Sequence, residues 1–255
     1  MKHRIDLNSD LGESFGNYTI GQDKEVLSLV SSANIACGYH AGDHNVMHET
    51  VKKAADNKVG LGAHPGLPDL VGFGRRYIEV DADDVYNMVV YQVGALQAFV
   101  TIRDTKLQHV KPHGALFNMA AKDPVIAQAI AKAVQDVDSS LILFGLAGSE
   151  LIKEGRKRGL HVAQEVFADR TYQPDGTLTP RTQPNAVIHD EDEVVERTLR
   201  MVREKIVRAE DGSEISIQPD TICVHGDTPQ ALTFVTRLKN ELLKAGVDIK
   251  RVGER

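Results

Sequence analysis

Cysteine is scarce in this sequence: 255 residues carry two, Cys37 and Cys223. Two cannot build the disulfide framework of a small secreted domain, and a reducing compartment suits them. Both lie in apolar segments, "NIACGYH" and "TICVHGD", and read as small buried hydrophobes, not as exposed nucleophiles. Long apolar runs are also missing; none approaches the ~20 residues of a membrane span. The first residues lead straight into "HRIDLNSDLGE" with no apolar targeting segment, so a soluble, cytoplasmic protein is expected. No long basic run occurs and the formal net charge is -6, which argues against a nucleic-acid partner. A Walker-type phosphate loop and an H-E-x-x-H zinc helix are absent, and a serine nucleophile on a strand-to-helix elbow is not expected. Internal repeats, low-complexity tracts and linkers are lacking too.

What is present is an alternation. A hydrophobic fraction of 42% with 26% charged residues supports a sizeable core. Short apolar, β-branched runs occur at Arg4–Leu7, Ala33–Cys37, Val59–Ala63, His109–Lys111, Leu141–Phe144, Val162–Val166 and Thr221–Val224. Longer amphipathic stretches separate them, at Val46–Lys58, Ala82–Thr105, Pro124–Val137, Ser149–Arg158, Asp192–Val207 and Pro229–Ala245. In the second, Val85, Val89, Val93 and Leu96 keep helical spacing. Alternating strands and helices predict a parallel α/β architecture, and strands this short suit a closed (β/α) barrel of seven strands. One barrel domain over residues 1–255 is a usual length for that fold. The Asp211–Gly212 pair in "VRAEDGSEISI" predicts a small hairpin before the last barrel strand.

Six of the seven predicted strands end in polar residues: Asp6, Asn8, Asp10 and Glu13; His40 and Asp43; His64; Lys111 and His113; Glu165, Asp169 and Arg170; His225 and Asp227. In a parallel barrel all strand C-termini open on one face, where such barrels carry out catalysis, so these residues are expected to converge there. Asp6 lies within its strand and has an alternative reading, a carboxylate satisfied inside the barrel. Two long loops after the third and sixth strands add Arg75, Arg76, Arg170 and Arg181, whose guanidinium groups suit carboxylate or phosphate. Local pairing, for instance with Asp69 or Glu79, is their alternative. His3, His109 and His161 precede or open their strands and are expected at the opposite face, and His189 in solvent. The expected catalytic set is Asp10, His64, Lys111, His113, Glu165 and His225. The expected binding set is Asp6, Asn8, Glu13, His40, Arg75, Arg76, Asp169, Arg170 and Asp227.

Metal binding rests on a different pattern. His40, His44 and His48 repeat every four residues, which on one helix would align them. Asp43 has the character of a helix N-cap, however, so the helix starts after His40 and the three do not form one clamp. Asp10, His40 and His64 are the weaker candidate ligands for a catalytic metal.

Six stretches, "DLNSDLGESFG", "NIACGYHAGD", "GAHPGLPDLVGFGRR", "VKPHGALFN", "EVFADRTY" and "ICVHGD", together resemble the LamB/YcsF family, in order and over nearly the whole chain. The resemblance implies a seven-stranded barrel related to glycoside hydrolases and polysaccharide deacetylases. It also implies the role of family members as the A component of a prokaryotic 5-oxoprolinase, which opens the lactam 5-oxo-L-proline to L-glutamate. The implied cofactor is ATP, with magnesium, at the level of a complex with separate B and C subunits; homo-oligomerisation is left open. The family commonly reads HAGDP where this chain has "HAGDH", which places His44 at the first helical position, favoured by proline. Two other readings of the residues stay open: a stand-alone metal-dependent amide hydrolase or deacetylase, and a non-catalytic substrate-binding subunit.

Overall fold

The computed structural model describes residues 3–224 and 229–254. The chain opens with β1 (Arg4–Leu11), a short α1 (Asp23–Val26), β2 (Ser32–Ala36), α2 (His44–Asp56) and β3 (Gly60–His64). It continues through α3 (Ala82–Thr101), β4 (Leu107–Val110), α4 (Gly114–Lys122), α5 (Pro124–Val137) and β5 (Ile142–Leu146). Then follow α6 (Glu150–Lys157), β6 (Val162–Phe167), α7 (Glu191–Glu204), β7 (Ile206–Arg208), β8 (Glu214–Ser216), β9 (Thr221–Cys223), α8 (Pro229–Lys244) and β10 (Asp248–Ile249).

Strands β1 to β6 pair in sequence order and in parallel; β9 pairs with both β6 and β1 and closes a seven-stranded barrel. The seven-stranded (β/α) barrel expected from the sequence is therefore the fold. β10 adds two residues to the outside start of β1, where Arg4 pairs with Asp248. β7 and β8 form the expected hairpin around Asp211 and Gly212. Among the described residues, no helix is long and apolar enough to cross a membrane.

The helices form where the apolar spacing requires an outer layer. In α3, Val85, Val89, Val93, Leu96 and Val100 are fully buried, a stripe that faces the barrel wall. Asp81, Asp123 and Asp190 cap α3, α5 and α7 by accepting backbone N–H bonds. Asp43 does the same for α2, accepting from Asn45 and Val46. His44 and His48 sit on that helix, His44 exposed and His48 half-buried against Phe99. Three elements had no counterpart in the sequence pattern, the four-residue α1 among them. α4 runs from Gly114 to Lys122 between His113 and Asp123; Asp123 also caps α5, so a Pro-started helix follows directly. β10 is too short to show a strand pattern.

The barrel interior is polar rather than aliphatic. Alternate residues of β1 point inward, placing Asp6, Asn8 and Asp10 at three depths. Asp6 lies lowest and accepts from Ser31, Ser32 and Thr221. Asn8 occupies the middle layer, donating to Glu165 (2.9 Å) and Thr221 (2.7 Å). Asn34 joins it there, donating to Asn8 (2.7 Å) and to Asp10 (2.8 Å).

His109 belongs to this interior, not to the opposite face. β4 begins two residues earlier than the sequence pattern indicates, so His109 lies mid-strand. Leu61 pairs with Leu107 but Gly62 with His109, a one-residue bulge at Gln108. The His109 ring stacks on Phe144 at 4.2 Å and its Nε2 donates to Asn34 Oδ1 at 2.8 Å. Burial lowers its pKa to about 3. Gly62 makes this possible: a Cβ there would stand 2.0 Å from Nε2.

Candidate active site

Above these layers the C-terminal mouth opens into a cavity of about 390 Å³, within the range of small-molecule pockets. Asp10, Glu13, His64, Lys111 and His113 line its floor, and Phe73, Arg75 and Arg181 come from the long loops.

Lys111 is the centre of charge. Its ammonium donates to Asp10 (2.8 Å) and lies 2.9 Å from Glu165, with Asn8 Oδ1 at 3.3 Å and Cys223 Sγ at 3.2 Å. Burial alone would discharge it. Asp10 and Glu165 outweigh burial and hold its pKa well above the ordinary lysine value. Burial pushes the Glu165 carboxyl up, and Lys111 and Asn8 counter it. The Cys223 thiol is also pushed up by burial, and that of Cys37 to about 12, so neither is a ready nucleophile.

Three histidines gather beside this cluster. His64 ends β3, with Nδ1 at 2.7 Å from the Lys111 carbonyl and Nε2 at 3.3 Å from Asp10 Oδ2. His113 precedes α4, with Nε2 at 2.9 Å from the Phe73 carbonyl and Nδ1 at 2.9 Å from His64 Nε2. His40 follows β2, stacks on His113 at 3.6 Å with nearly parallel rings, and places Nε2 3.2 Å from Glu13 Oε1. Burial holds His40 and His113 well below the ordinary imidazole pKa, as do their histidine neighbours. Gly74, at φ +62, fits against this stack; a Cβ there would come within 2.6 Å of His40 and 2.8 Å of His113. Glu13, His40, His64 and His113 each offer a ligand atom within 4.8 Å of the others, an arrangement able to hold a metal ion. This is a different trio from the helical repeat: of its three members, His40 alone takes part.

The structure brings Asp10, Glu13, His40, His64, Lys111, His113 and Glu165 together. Asn8 and Asp6 lie beneath them, Asp6 at the bottom of the barrel, away from the cavity lining. Burial pushes the Asp6 carboxyl up despite its three hydroxyl partners. Arg75 reaches the cavity and stacks over Phe73 at 4.9 Å. Arg76 pairs with the buried Asp69 through Nε at 2.9 and 3.1 Å and does not line the cavity. Arg170 borders the cavity but spends its donors on the Ala186 and Thr179 carbonyls, bracing the second long loop. Burial lowers its pKa to about 10. Asp169 accepts the Ile188 N–H through its backbone carbonyl in the same loop and is absent from the cavity lining. His225 and Asp227 lie outside the described residues.

Sequence reasoning missed Asn34, the hub joining Asn8, Asp10 and His109; its signal was the polar pair Ser32 and Asn34, two residues apart on one face of "SANIA". It also missed Gln92, a buried polar residue in the apolar stripe of α3, which bonds both N–H and C=O of Gly66 and fixes the His64 loop. Gly12–Gly16 does spell G-x-S-x-G. Ser14 nevertheless exchanges hydrogen bonds with the Ile20 backbone and sits in a turn, not on a strand-to-helix elbow.

Fold and cavity are those of a β/α-barrel enzyme working at the C-terminal face of its strands. A profile described as the LamB/YcsF family matches residues 5–255, and the chain belongs to that family. It is 64% identical to the 5-oxoprolinase A subunit of Halalkalibacterium halodurans, over 98% of both chains. It is 45% identical to the lactam utilization protein of Thermus thermophilus, whose crystal structure superposes with a TM-score of 0.91 over 97% of this chain and 99% of that one. The GH20 beta-N-acetylhexosaminidase of Streptomyces coelicolor, 10% identical, gives a TM-score of 0.54 over 98% of this chain and 65% of that one; this likeness is one of fold alone.

Proposed function

We propose that this chain is the A component of an ATP-dependent 5-oxoprolinase and opens the ring of 5-oxo-L-proline, giving L-glutamate, at the barrel mouth. The observation that carries the reading is the Lys111–Asp10 pair at the floor of a cavity sized for a small molecule, in a chain 64% identical to a protein of that name. Lys111 and Asn34 hold Asp10 Oδ1, so the carboxylate is fixed with Oδ2 turned toward His64.

In the proposed reaction the ring carbonyl oxygen takes the γ-phosphoryl group of ATP and ADP leaves; Asp10 then takes a proton from water as the water oxygen bonds to the activated ring carbon. The ring C–N bond breaks, Asp10 returns the proton to the departing nitrogen, and a second water cleaves the resulting acyl phosphate to phosphate and L-glutamate. Lys111 places positive charge beneath the phosphorylated oxygen, and Arg75 takes the substrate carboxylate. B and C subunits supply the coupling to ATP and magnesium, and the whole chain acts as one barrel domain. A lactam recloses easily, which is why coupling to ATP suits this substrate. The test is glutamate release from 5-oxo-L-proline by the chain with its partners, with and without ATP. Release without ATP or partners would instead favour an amide hydrolase acting alone, the reading that the histidine cluster supports.

A further inference from the structure

His64 and His113 meet in a way that two neutral imidazoles cannot satisfy by themselves. The Lys111 carbonyl only accepts, so His64 Nδ1 at 2.7 Å carries the proton. The Phe73 carbonyl likewise places the His113 proton on Nε2, 2.9 Å away. The remaining ring nitrogens, His64 Nε2 and His113 Nδ1, then present two lone pairs to each other at 2.9 Å. Something positive has to lie between or beside them.

Glu13 Oε1 stands 3.6 Å from His113 Nδ1. The edges of a tetrahedron with metal–ligand bonds of ~2.0–2.1 Å measure about 3.3 Å; the spacings of His113 Nδ1 to His64 Nε2 (2.9 Å) and to Glu13 Oε1 (3.6 Å) bracket that edge, and the ligand atoms of the group lie within 4.8 Å of one another. The rings of His64 and His113 are at 88° to each other, and their in-plane lone pairs can converge on one point. His40 differs. Its ring is stacked parallel to His113, at 2°, and lone pairs in parallel planes do not meet at a common ion. Its Nε2 lies 3.2 Å from the Glu13 carboxylate, an acceptor, so it donates there and aims Glu13. Glu13, His64 and His113 line the cavity, whereas His40 is fully buried behind them.

We propose that His64 Nε2, His113 Nδ1 and the Glu13 carboxylate bind one divalent cation of the zinc class, with His40 as a positioning residue for Glu13. Two imidazoles and one carboxylate suit zinc, cobalt or a similar borderline ion; calcium and magnesium prefer all-oxygen cages. Three protein ligands leave a fourth position, as in catalytic zinc sites, and Asp10 Oδ2, 3.3 Å from His64 Nε2, flanks it. There the ion would hold the water from which Asp10 takes its proton. Binding of the ion does not depend on whether the substrate is 5-oxo-L-proline.

The experiment is metal titration of the purified, chelator-stripped full chain, with Zn²⁺ by calorimetry and Co²⁺ by visible absorption. One ion per chain is expected, with the strong cobalt spectrum of low coordination number. His113→Ala and the isosteric Glu13→Gln should each weaken binding at least ~100-fold. His40→Ala should weaken it about 10–100-fold while keeping one ion per chain. His44→Ala, an exposed control on α2, should change nothing. Thermal melts of the stripped variants separate lost ligation from lost folding, and Glu13→Gln serves if the histidine variants fail to fold. Absence of stoichiometric binding, or undiminished binding in folded Glu13→Gln and His113→Ala, would overturn the proposal. A proton bridging His64 and His113 in the metal-treated protein, seen by ¹⁵N NMR, would overturn it as well. Failure of glutamate release with intact metal binding would count against the lactam reading alone.

Discussion

His109 should make the fold acid-sensitive in a window that can be worked out. Its ring is fully buried between Asn34 and Phe144, and burial lowers its pKa to about 3 from the ordinary 6.5. In the unfolded chain the imidazole titrates near 6.5. Above that value both states are neutral, and His109 contributes nothing to the pH dependence. As pH falls below 6.5 the unfolded chain binds a proton that the folded chain refuses, so stability is lost until the folded pKa is passed. The slope is about 1.4 kcal/mol per pH unit, giving roughly 2 kcal/mol between about pH 8 and pH 5 and at most ~5 kcal/mol in total. The assay is urea unfolding of the native chain and His109→Gln across that range. His40 and His113 titrate in both proteins and cancel in the difference. The native chain should lose roughly 2 kcal/mol more than the variant between pH 8 and pH 5. Parallel pH profiles would refute the buried neutral His109.

Three further outcomes follow from the same geometry. Gly62→Ala would drive a Cβ to 2.0 Å from His109 Nε2, so denaturation should show a loss of about 3 kcal/mol, relieved in part by combining it with His109→Ala. Lys111→Met leaves Asp10 and Glu165 without their cation; unfolding experiments at neutral pH should give a loss of about 3–5 kcal/mol, shrinking at lower pH as the carboxyls take up protons. The neighbouring arginines should divide in steady-state kinetics: Arg75→Ala should raise KM by about tenfold or more through the lost substrate carboxylate, whereas Arg76→Ala, bound to Asp69, should leave KM within about twofold.

Much of this was legible in the sequence because a parallel barrel puts chemistry at strand ends. Asp10, His64, Lys111 and His113 each follow or end an apolar run, and knowing that such ends share one mouth is enough to gather them. Arg76 was not separable from Arg75, since adjacent loop residues point in directions that only the Asp69 contact decides. His109 was misplaced because a bulge at Gln108 starts β4 early and turns the ring inward, something periodicity cannot register. The histidine repeat was rightly set aside. The Asp43 cap foretold that α2 begins at His44, which separates His40 from His44 and His48; the trio that forms comes from three separate strand ends, and spacing along one helix could not announce it.

The central claim is lactam opening at this mouth, and one measurement bears on it most directly. Glutamate release from 5-oxo-L-proline should be measured for the chain reconstituted with the proposed B and C subunits and ATP, beside Asp10→Asn under the same conditions. The account predicts ATP-dependent glutamate with the native chain and a loss of at least ~100-fold with Asp10→Asn. No glutamate from the complete native complex, or full turnover with Asp10→Asn, would contradict it.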